Sequence, residues 1–264
     1  MVRKFHNSPF TIHHSQFTIH HPTMKLEVIG FGIDNCLIAQ QSGAHRIELC
    51  ENPSDGGTTP SYGYIVAARK KLQIELYPMI RPRGGDFLYT EEEFEIMKSD
   101  ILLCKRLGCD GIVTGLLTAA GKVDKERTFQ LVTLAYPLGV TFHRAFDRTE
   151  EPFEAMKDII ETGCERILTS GQKNNASDGV VLIKQLIDAA DDRIIIMPGS
   201  GIRAENIRSI AEITGASEFH TSARCYNKSK MIYKSAIDTD SGTIGVDEEE
   251  VRTMIKLFDF KGQR

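Results

Sequence analysis

Short apolar runs alternate with amphipathic segments along the chain from Lys25 onward. Eight runs have the length and apolar content of buried strands, and they cover residues 25–31, 45–51, 75–82, 109–115, 139–147, 165–171, 193–201 and 217–223. Helical patterns lie between them, over residues 91–107 and 152–163 among others. In the first of these, Phe94, Met97, Ile101 and Leu102 fall near one face. The alternation predicts an α/β protein made of βα units.

A short phrase recurs where predicted helices give way to strands. It consists of a Gly, a small residue, two mostly polar residues and the next strand, and it occurs as GAHRI (43–47), GCDGI (108–112), GCERI (163–167) and GASEF (215–219). Gly accepts the left-handed conformation that ends a helix. Repeated βα units in a chain of this length favour a single closed (β/α)₈ TIM barrel. A doubly wound sheet is the alternative, but the first strand runs into GFGID and lacks the third glycine of a dinucleotide fingerprint.

Polar side chains collect at the carboxyl ends of the predicted strands, where barrel enzymes carry their active sites. The candidates are Glu48, Cys50, Arg81, Arg83, His143, Arg144, Asp147, Ser170, Gly199, Ser200, Gly201 and His220. Because strand side chains alternate between faces, packing Ile47 and Leu49 against helices turns Glu48 and Cys50 into the barrel. The same argument turns His143 and His220 inward.

An enzymatic interpretation assigns anion binding to the arginines, since guanidinium groups grip carboxylate or phosphate in pairs of hydrogen bonds. Arg81 and Arg83 are the main candidates, with Arg144, Ser170 and His220 beside them. The Gly199-Ser200-Gly201 turn is predicted to lead into a helix beginning near Arg203, where backbone N–H groups would cradle phosphate.

Proton transfer in this interpretation belongs to His143, whose pKa is expected near neutrality. Glu48 would be its partner or the opposing base, and Asp147 would orient an imidazole or bind a divalent ion. The alternative is a purely structural network, because charged groups inside a barrel are costly unless paired. That alternative has most weight for Glu27 and Arg46, which lie low in their strands.

Composition narrows the function classes. Of the 264 residues, 41% are hydrophobic and 26% are charged, as in an ordinary soluble protein. The net charge is −4 and no basic cluster occurs, which argues against nucleic acid as a partner. No apolar run is long enough to span a membrane. Six Cys without a secretory signal predict reduced thiols and a cytoplasmic location.

Seven motifs in order resemble the CutC family, named for copper homeostasis. They are RIELC (46–50), GGTTPS (56–61), MIRPRGGDF (79–87), VTFHRAFD (140–147), LTSG (168–171), MPGSGI (197–202) and EFHTSAR (218–224). The resemblance starts at about Met24 and weakens after the eighth strand. It implies a cytosolic TIM barrel that is often a homo-oligomer and that handles copper.

Copper(I) prefers thiolate, thioether and imidazole ligands. Cys50 matches the cysteine of the family's RIELC motif and is the candidate metal ligand. The family commonly carries a second cysteine in the first strand, where this chain has Ile29. Cys225 is the other thiol expected near Cys50, with backbones roughly 10 Å apart for strands spaced ~4.8 Å. A small buried core residue is the alternative interpretation of Cys50.

Three functions remain open on the residues: a copper-binding protein, a barrel enzyme of isomerase, epimerase or lyase type acting on a small anionic or phosphorylated metabolite, and a non-catalytic scaffold. No Lys lies at a strand end, which disfavours Schiff-base chemistry. The sequence does not decide whether the protein is an enzyme.

The N-terminal tail, residues 1–23, precedes the predicted barrel domain of residues 24–264. It contains two copies of FTIHH and five of the eight histidines. A polar tail without fixed geometry binds divalent metals weakly. We expect this segment to be a disordered extension, outside the native protein or irrelevant to its function.

Overall fold

A computed structural model of the protein describes residues 24–233 and 242–259. The barrel strands are β1 (Lys25–Gly30), β2 (Arg46–Leu49), β3 (Glu75–Pro78), β4 (Gly111–Thr114), β5 (Gly139–Phe142), β6 (Arg166–Thr169), β7 (Ile195–Pro198) and β8 (Glu218–Thr221). The helices are α1 (Ile33–Gln41), α2 (Tyr62–Lys71), α3 (Glu91–Leu107), α4 (Lys125–Ala135), α5 (Pro152–Thr162), α6 (Val180–Ala190), α7 (Ile207–Thr214) and α8 (Glu248–Asp259). Each predicted strand segment contains one of these barrel strands.

The strands form two parallel four-stranded sheets, in the orders β3-β2-β1-β8 and β4-β5-β6-β7. A parallel bridge between Met79 and Val113 joins β3 to β4. On the opposite side, Gly199 at the end of β7 lies against His220 of β8, where an added Cβ would be 3.3 Å from that of His220. The two sheets thus curve into one barrel, which confirms the predicted (β/α)₈ architecture.

Strand side chains divide between the helix layer and the barrel interior. Leu26, Val28, Ile47 and Leu49 are fully buried in the main core cluster, which packs against the helices. The alternate residues of the same strands face the interior and are mostly polar. Since both faces of each strand are covered, every residue from Leu26 to Gly30 is buried, as expected for a parallel barrel.

Helix boundaries follow local signals. Thr90 caps α3, because its side chain accepts a hydrogen bond from the Glu93 N–H at 3.2 Å while Glu93 Oε2 accepts one from the Thr90 N–H at 2.9 Å. The predicted apolar face of α3 is wrong at one position: Leu102 is 40% exposed, and Cys104 is buried in its place. The four glycines of the repeated phrase all have positive φ, between 73° and 98°.

Two connections differ from the sequence-based expectation. Helix α7 begins at Ile207, four positions after Arg203, because residues 204–206 form a turn. The long connection after β8 contains an antiparallel hairpin of β9 (Arg224–Asn227) and β10 (Thr243–Val246). The tail of residues 1–23 and residues 234–241 lie outside the described part of the chain, as does the C-terminal end beyond residue 259. Among the described residues, no helix is both long and apolar enough to cross a membrane.

Candidate functional site

A cavity of about 240 Å³ opens at the carboxyl ends of the barrel strands. Its apolar wall consists of Ile29, Phe31, Met79, Phe87 and Leu168. Its polar wall consists of Glu48, Arg81, His143, Arg144, Ser200, His220, Ser222 and Arg224. The fold therefore brings residues from seven of the eight barrel strands or their following loops to one concave surface.

A carboxylate–imidazole cluster lies at the base of this cavity. His220 Nδ1 is 2.6 Å from Glu27 Oε1, and His220 Nε2 is 3.8 Å from Glu48 Oε2. The Cys50 thiol donates a hydrogen bond to the same Glu48 oxygen at 3.6 Å. Glu48, Cys50 and His220 are each at least nine-tenths buried, so the cluster is shielded from bulk water.

The environment moves the pKa of each group in this cluster. Burial, with a smaller contribution from the Glu27 charge, raises the pKa of Glu48 to about 7, although His220 opposes the shift. Burial also acts on Glu27, but Arg46 and His220 outweigh it and hold the pKa of Glu27 well below its ordinary value. For His220, burial is outweighed by Glu48 and Glu27, and its pKa is raised. The Glu27 carboxylate, 2.6 Å from His220 Nδ1, therefore favours the protonated form of the imidazole.

Below the cluster, a buried ionic network fills the barrel. Arg46 donates to Glu27 Oε2 at 2.5 Å and to Glu218 Oε2 at 2.7 Å. Arg166 donates to the same Glu218 oxygen at 2.7 Å, and both guanidinium groups lie over the Tyr77 ring. Glu27 and Arg46 thus have the structural role that the sequence offered as an alternative. Sequence reasoning missed the contribution of Arg166, whose alternation with Ile167 would have placed it inside the barrel.

His143 is buried and electrically neutral at physiological pH. Burial, assisted by the Arg81 charge, lowers its pKa to about 3, so the expectation of a near-neutral pKa is wrong. His143 Nδ1 accepts a hydrogen bond from the Ala145 N–H at 3.2 Å, so the ring proton resides on Nε2. Within the described residues, Nε2 has no hydrogen-bond partner. His143 therefore presents a neutral N–H donor rather than a base.

The two arginines of the β3 end are engaged by the protein itself. Arg81 donates to the carbonyl oxygens of Asp55 at 2.6 Å and Gly57 at 2.8 Å, which holds the loop after β2 over the cavity. Arg83 donates to Glu93 Oε1 at 2.6 Å and is not part of the cavity wall. Of the two side chains, only Arg81 reaches the cavity.

Asp147 is surrounded by donors from the loops after β5 and β6. Its carboxylate pairs with Arg144 at 2.8 Å and accepts hydrogen bonds from Thr169, from Gln172 and from both the N–H and the hydroxyl of Ser170. Its contacts in the described residues include no imidazole. The structure brings Arg144 to the cavity and leaves Asp147 and Ser170 behind it.

The Gly199-Ser200-Gly201 turn reaches the cavity with Ser200 and Gly201. Ser200 has a φ of 75° and its hydroxyl donates to the Asn174 carbonyl at 2.7 Å, so its side chain stabilises the neighbouring loop. Because α7 starts only at Ile207, this turn is separated from the helix N-terminus.

Metal-binding groups occur at the cavity base. Among the described residues, Glu27, Glu48 and His220 can bring one ligand atom each within 4.8 Å of one another. Oxygen and nitrogen donors of this kind suit Zn²⁺ or Mn²⁺ better than Cu(I). Soft donors lie beside them: a Cβ at Gly57 would be 3.1 Å from Cys50 Sγ and 3.7 Å from Met79 Cε. Sequence reasoning missed Met79, although it is two residues before Arg81 and therefore shares its face.

Two other thiols, Cys36 and Cys225, lie on elements different from that of Cys50. Cys36 is buried in α1 and its Sγ lies against Gly30, on the helix side of β1. Cys225 is half-buried on β9, opposite Gly245 of β10. Ile29 occupies the cavity wall at the position where the resemblance implied a cysteine.

Fold comparisons first define the class of protein. Phosphoribosylanthranilate isomerase from Thermotoga maritima superposes with a TM-score of 0.56, covering 89% of this chain and 98% of that protein. At 13% identity this likeness concerns the fold alone. Together with the strand order and the cavity position, it makes the chain a (β/α)₈ barrel with a mouth site.

Sequence comparisons identify the family. The CutC family model matches residues 24–225. A family protein CutC from Chromobacterium violaceum is 49% identical over 223 residues, covering 84% of this chain and 90% of that protein. The copper homeostasis protein cutC homolog of Mus musculus is 48% identical over 211 residues, covering 80% and 78%. The crystal structure of CutC from Streptococcus agalactiae has a TM-score of 0.72 at 35% identity, covering 75% and 98%. The chain belongs to the CutC family.

Proposed function

We propose that this protein acts in copper homeostasis and that it binds Cu(I) through Cys50. Family membership and the names of the mouse and human relatives support the copper role. The observation that carries the site is the meeting of a buried thiol, a thioether side chain and an imidazole at the base of the barrel cavity.

The sulfur donors are Cys50 and Met79. They belong to one interior cluster with Ile29, Tyr77 and Val113. Both border Gly57, whose missing side chain leaves them room to approach each other. Thiolate and thioether are ligands that Cu(I) prefers, and an apolar surround excludes competing water. This pair takes the place of the cysteine pair that the family resemblance implied.

The nitrogen donor is His220. Its Nε2 and the Cys50 Sγ lie within 3.8 Å and 3.6 Å of the same oxygen, Glu48 Oε2. A small displacement of the Glu48 carboxylate would open the space between them. Two or three soft ligands suffice for Cu(I), so Cys50, Met79 and His220 form an adequate donor set.

Binding requires the thiolate form of Cys50. Burial, together with the neighbouring Glu48 carboxylate, raises the pKa of this thiol well above its ordinary value. Cu(I) must therefore displace the thiol proton, and Glu48 Oε2 already accepts that proton in a hydrogen bond. Because the metal competes with a proton, Cu(I) affinity should rise with pH.

The proposal also covers the cellular location of the protein and its self-association. All six cysteines are free thiols, in keeping with a reducing cytoplasm. Self-association is supported by an exposed apolar segment after β9, where Met231, Ile232 and Tyr233 are 65%, 98% and 77% exposed. We infer a cytoplasmic homo-oligomer.

The test is an anaerobic competition titration of the full chain for Cu(I) against a strong chelator. Cys50→Ser should lose the tight site, and Cys164→Ser serves as the matched control because Cys164 is also buried but lies in the α5–β6 turn. Tight binding that survives Cys50→Ser, or that is lost equally in Cys164→Ser, would contradict the assignment.

A further inference from the structure

Three buried polar atoms around the cavity lack hydrogen-bond partners within the described residues. They are Glu48 Oε1, His143 Nε2 and Arg81 Nε. The described part of the chain has two other such side-chain atoms, on Tyr89 and Thr128, and neither residue lines the cavity. An unpaired buried polar group destabilises a fold by about 1–3 kcal/mol. Concentration of three of them in residues that line one cavity indicates that something else supplies the partners.

We propose that the barrel mouth binds a small organic anion that carries a hydroxyl group. This activity goes beyond copper homeostasis, and it uses side chains that face the cavity, whereas Cys50 is not part of the cavity wall. The hydrogen-bond donors, the acceptor, the charge and the volume of the cavity together define the class of ligand.

The donor side consists of Arg81 and His143. Both flank the same ring, since the Arg81 guanidinium carbon is 5.0 Å from the Phe87 centroid and the His143 ring centroid is 4.9 Å from it. Arg81 Nε–H and His143 Nε2–H are thus donors on two residues that pack against the same ring, and a carboxylate or phosphate group can accept from either. Three of the other four N–H groups of Arg81 are bound to loop carbonyls, which holds the guanidinium group in place.

The acceptor side is Glu48 Oε1. A hydroxyl group both donates and accepts hydrogen bonds, so it can pair with Glu48 whether or not the carboxyl carries a proton. The other Glu48 oxygen is occupied by Cys50 and approached by His220. Oε1 is therefore the atom left for a ligand.

Charge and size agree with an anion of metabolite dimensions. Three arginines, Arg81, Arg144 and Arg224, line the cavity, against one carboxylate, Glu48. The volume of about 240 Å³ is below the range of roughly 300–1,000 Å³ that drug-sized ligands occupy. Phe31, Phe87 and Leu168 supply an apolar wall for the carbon skeleton.

The experiment titrates the metal-free full chain with D-glycerate and with sn-glycerol 3-phosphate by isothermal calorimetry. These two probes distinguish a carboxylate from a phosphate as the anionic end. Propionate, which lacks the hydroxyl, and glycerol, which lacks the charge, are the matched control compounds. We expect saturable binding of at least one probe, and at least tenfold weaker binding of both control compounds.

Variants assign the binding to the cavity. Glu48→Leu and His143→Phe should each weaken binding of the probe about tenfold or more, since each removes a buried hydrogen bond. His143→Gln retains an N–H donor and should restore part of the affinity. Arg83→Gln should have no effect, because Arg83 is at the same strand end but outside the cavity.

A second measurement uses the unaltered protein, so the test does not depend on variant folding. In side-chain ¹⁵N spectra, the Nε2 resonance of His143 should shift when a probe is added. Failure of both probes to bind, or binding that leaves the His143 resonance unchanged, would overturn the proposal. The copper titration is a separate experiment, so the copper proposal stands or fails on other data.

Discussion

Replacement of Arg46 by Met tests whether the interior ionic network stabilises the barrel. The Arg46 side chain is 1% exposed and donates to Glu27 at 2.5 Å and to Glu218 at 2.7 Å. Arg46→Met keeps the bulk of the side chain but removes the positive charge that acts most strongly on Glu27. Removing one member of a buried ion pair destabilises proteins by about 3–5 kcal/mol, because the other charge stays buried and unpaired.

The assay is urea unfolding followed by circular dichroism, and the matched control is Arg83→Met. The Arg83 side chain is 38% exposed and pairs with Glu93 and with the exposed Asp86. Exposed ion pairs contribute about 0–1 kcal/mol, so the control should lose no more than that. The two variants remove the same group from the same barrel, and they differ in burial.

The pH dependence of Arg46→Met sharpens the test. In the unaltered protein, the pKa of Glu27 is held below its ordinary value of 4.5. The stability that Glu27 contributes is therefore present above pH 4.5 and is lost only as the pH falls through the lower folded pKa. Without Arg46, burial raises the pKa of Glu27, and its carboxyl becomes neutral at higher pH. The destabilisation should therefore shrink in acid. A loss below about 1 kcal/mol at neutral pH, or a loss that does not change with pH, would refute this account of the network.

Three further outcomes are expected. As the pH falls from 6.5 toward about 3, the free energy of unfolding should decrease more for the unaltered protein than for His143→Gln. The reason is that His143 takes up a proton in the unfolded state but not in the folded state. Parallel pH profiles of the two proteins would contradict this. Gly57→Ala should destabilise more than Gly108→Ala, by about 1–2 kcal/mol in thermal unfolding, because both have positive φ but only Gly57 would place a Cβ 3.1 Å from Cys50 Sγ. Deleting residues 1–23 should leave chelator-resistant Cu(I) binding intact. The deletion should also remove weak Ni²⁺ binding, which affinity chromatography measures. Loss of the Cu(I) site would assign a function to the tail.

Local patterns were sufficient for the architecture. Strand alternation placed Glu48 and His220 in the barrel interior, and the repeated glycine phrase marked four helix ends that have positive φ. The α3 boundaries, 91–107, were predicted as the structure has them, because the Thr90–Glu93 cap and Gly108 are adjacent to the helix in sequence. These features depend on residues within a few positions of one another.

The roles of side chains at the barrel mouth depend on partners that are distant in the sequence. Arg81 was expected to bind an anion through a pair of hydrogen bonds, but carbonyls of the loop after β2 occupy part of its guanidinium group. Arg83 turns outward to Glu93. His143 has no base-like pKa, because the fold buries it beside Arg81. Each outcome is set by a segment that the local pattern does not contain.

The sequence by itself determined the barrel, the family and the residues that face its interior, since two-residue alternation and glycine positions act over short range. Only the tertiary structure decided which polar atoms are already paired. It surrounded Asp147 with donors from the loop after β6, brought Met79 beside Cys50, and left Glu48 Oε1 and His143 Nε2 without hydrogen-bond partners among the described residues. The physical reason is that hydrogen-bond partners and desolvation depend on which loops meet in space, and loop paths follow from packing of the whole chain.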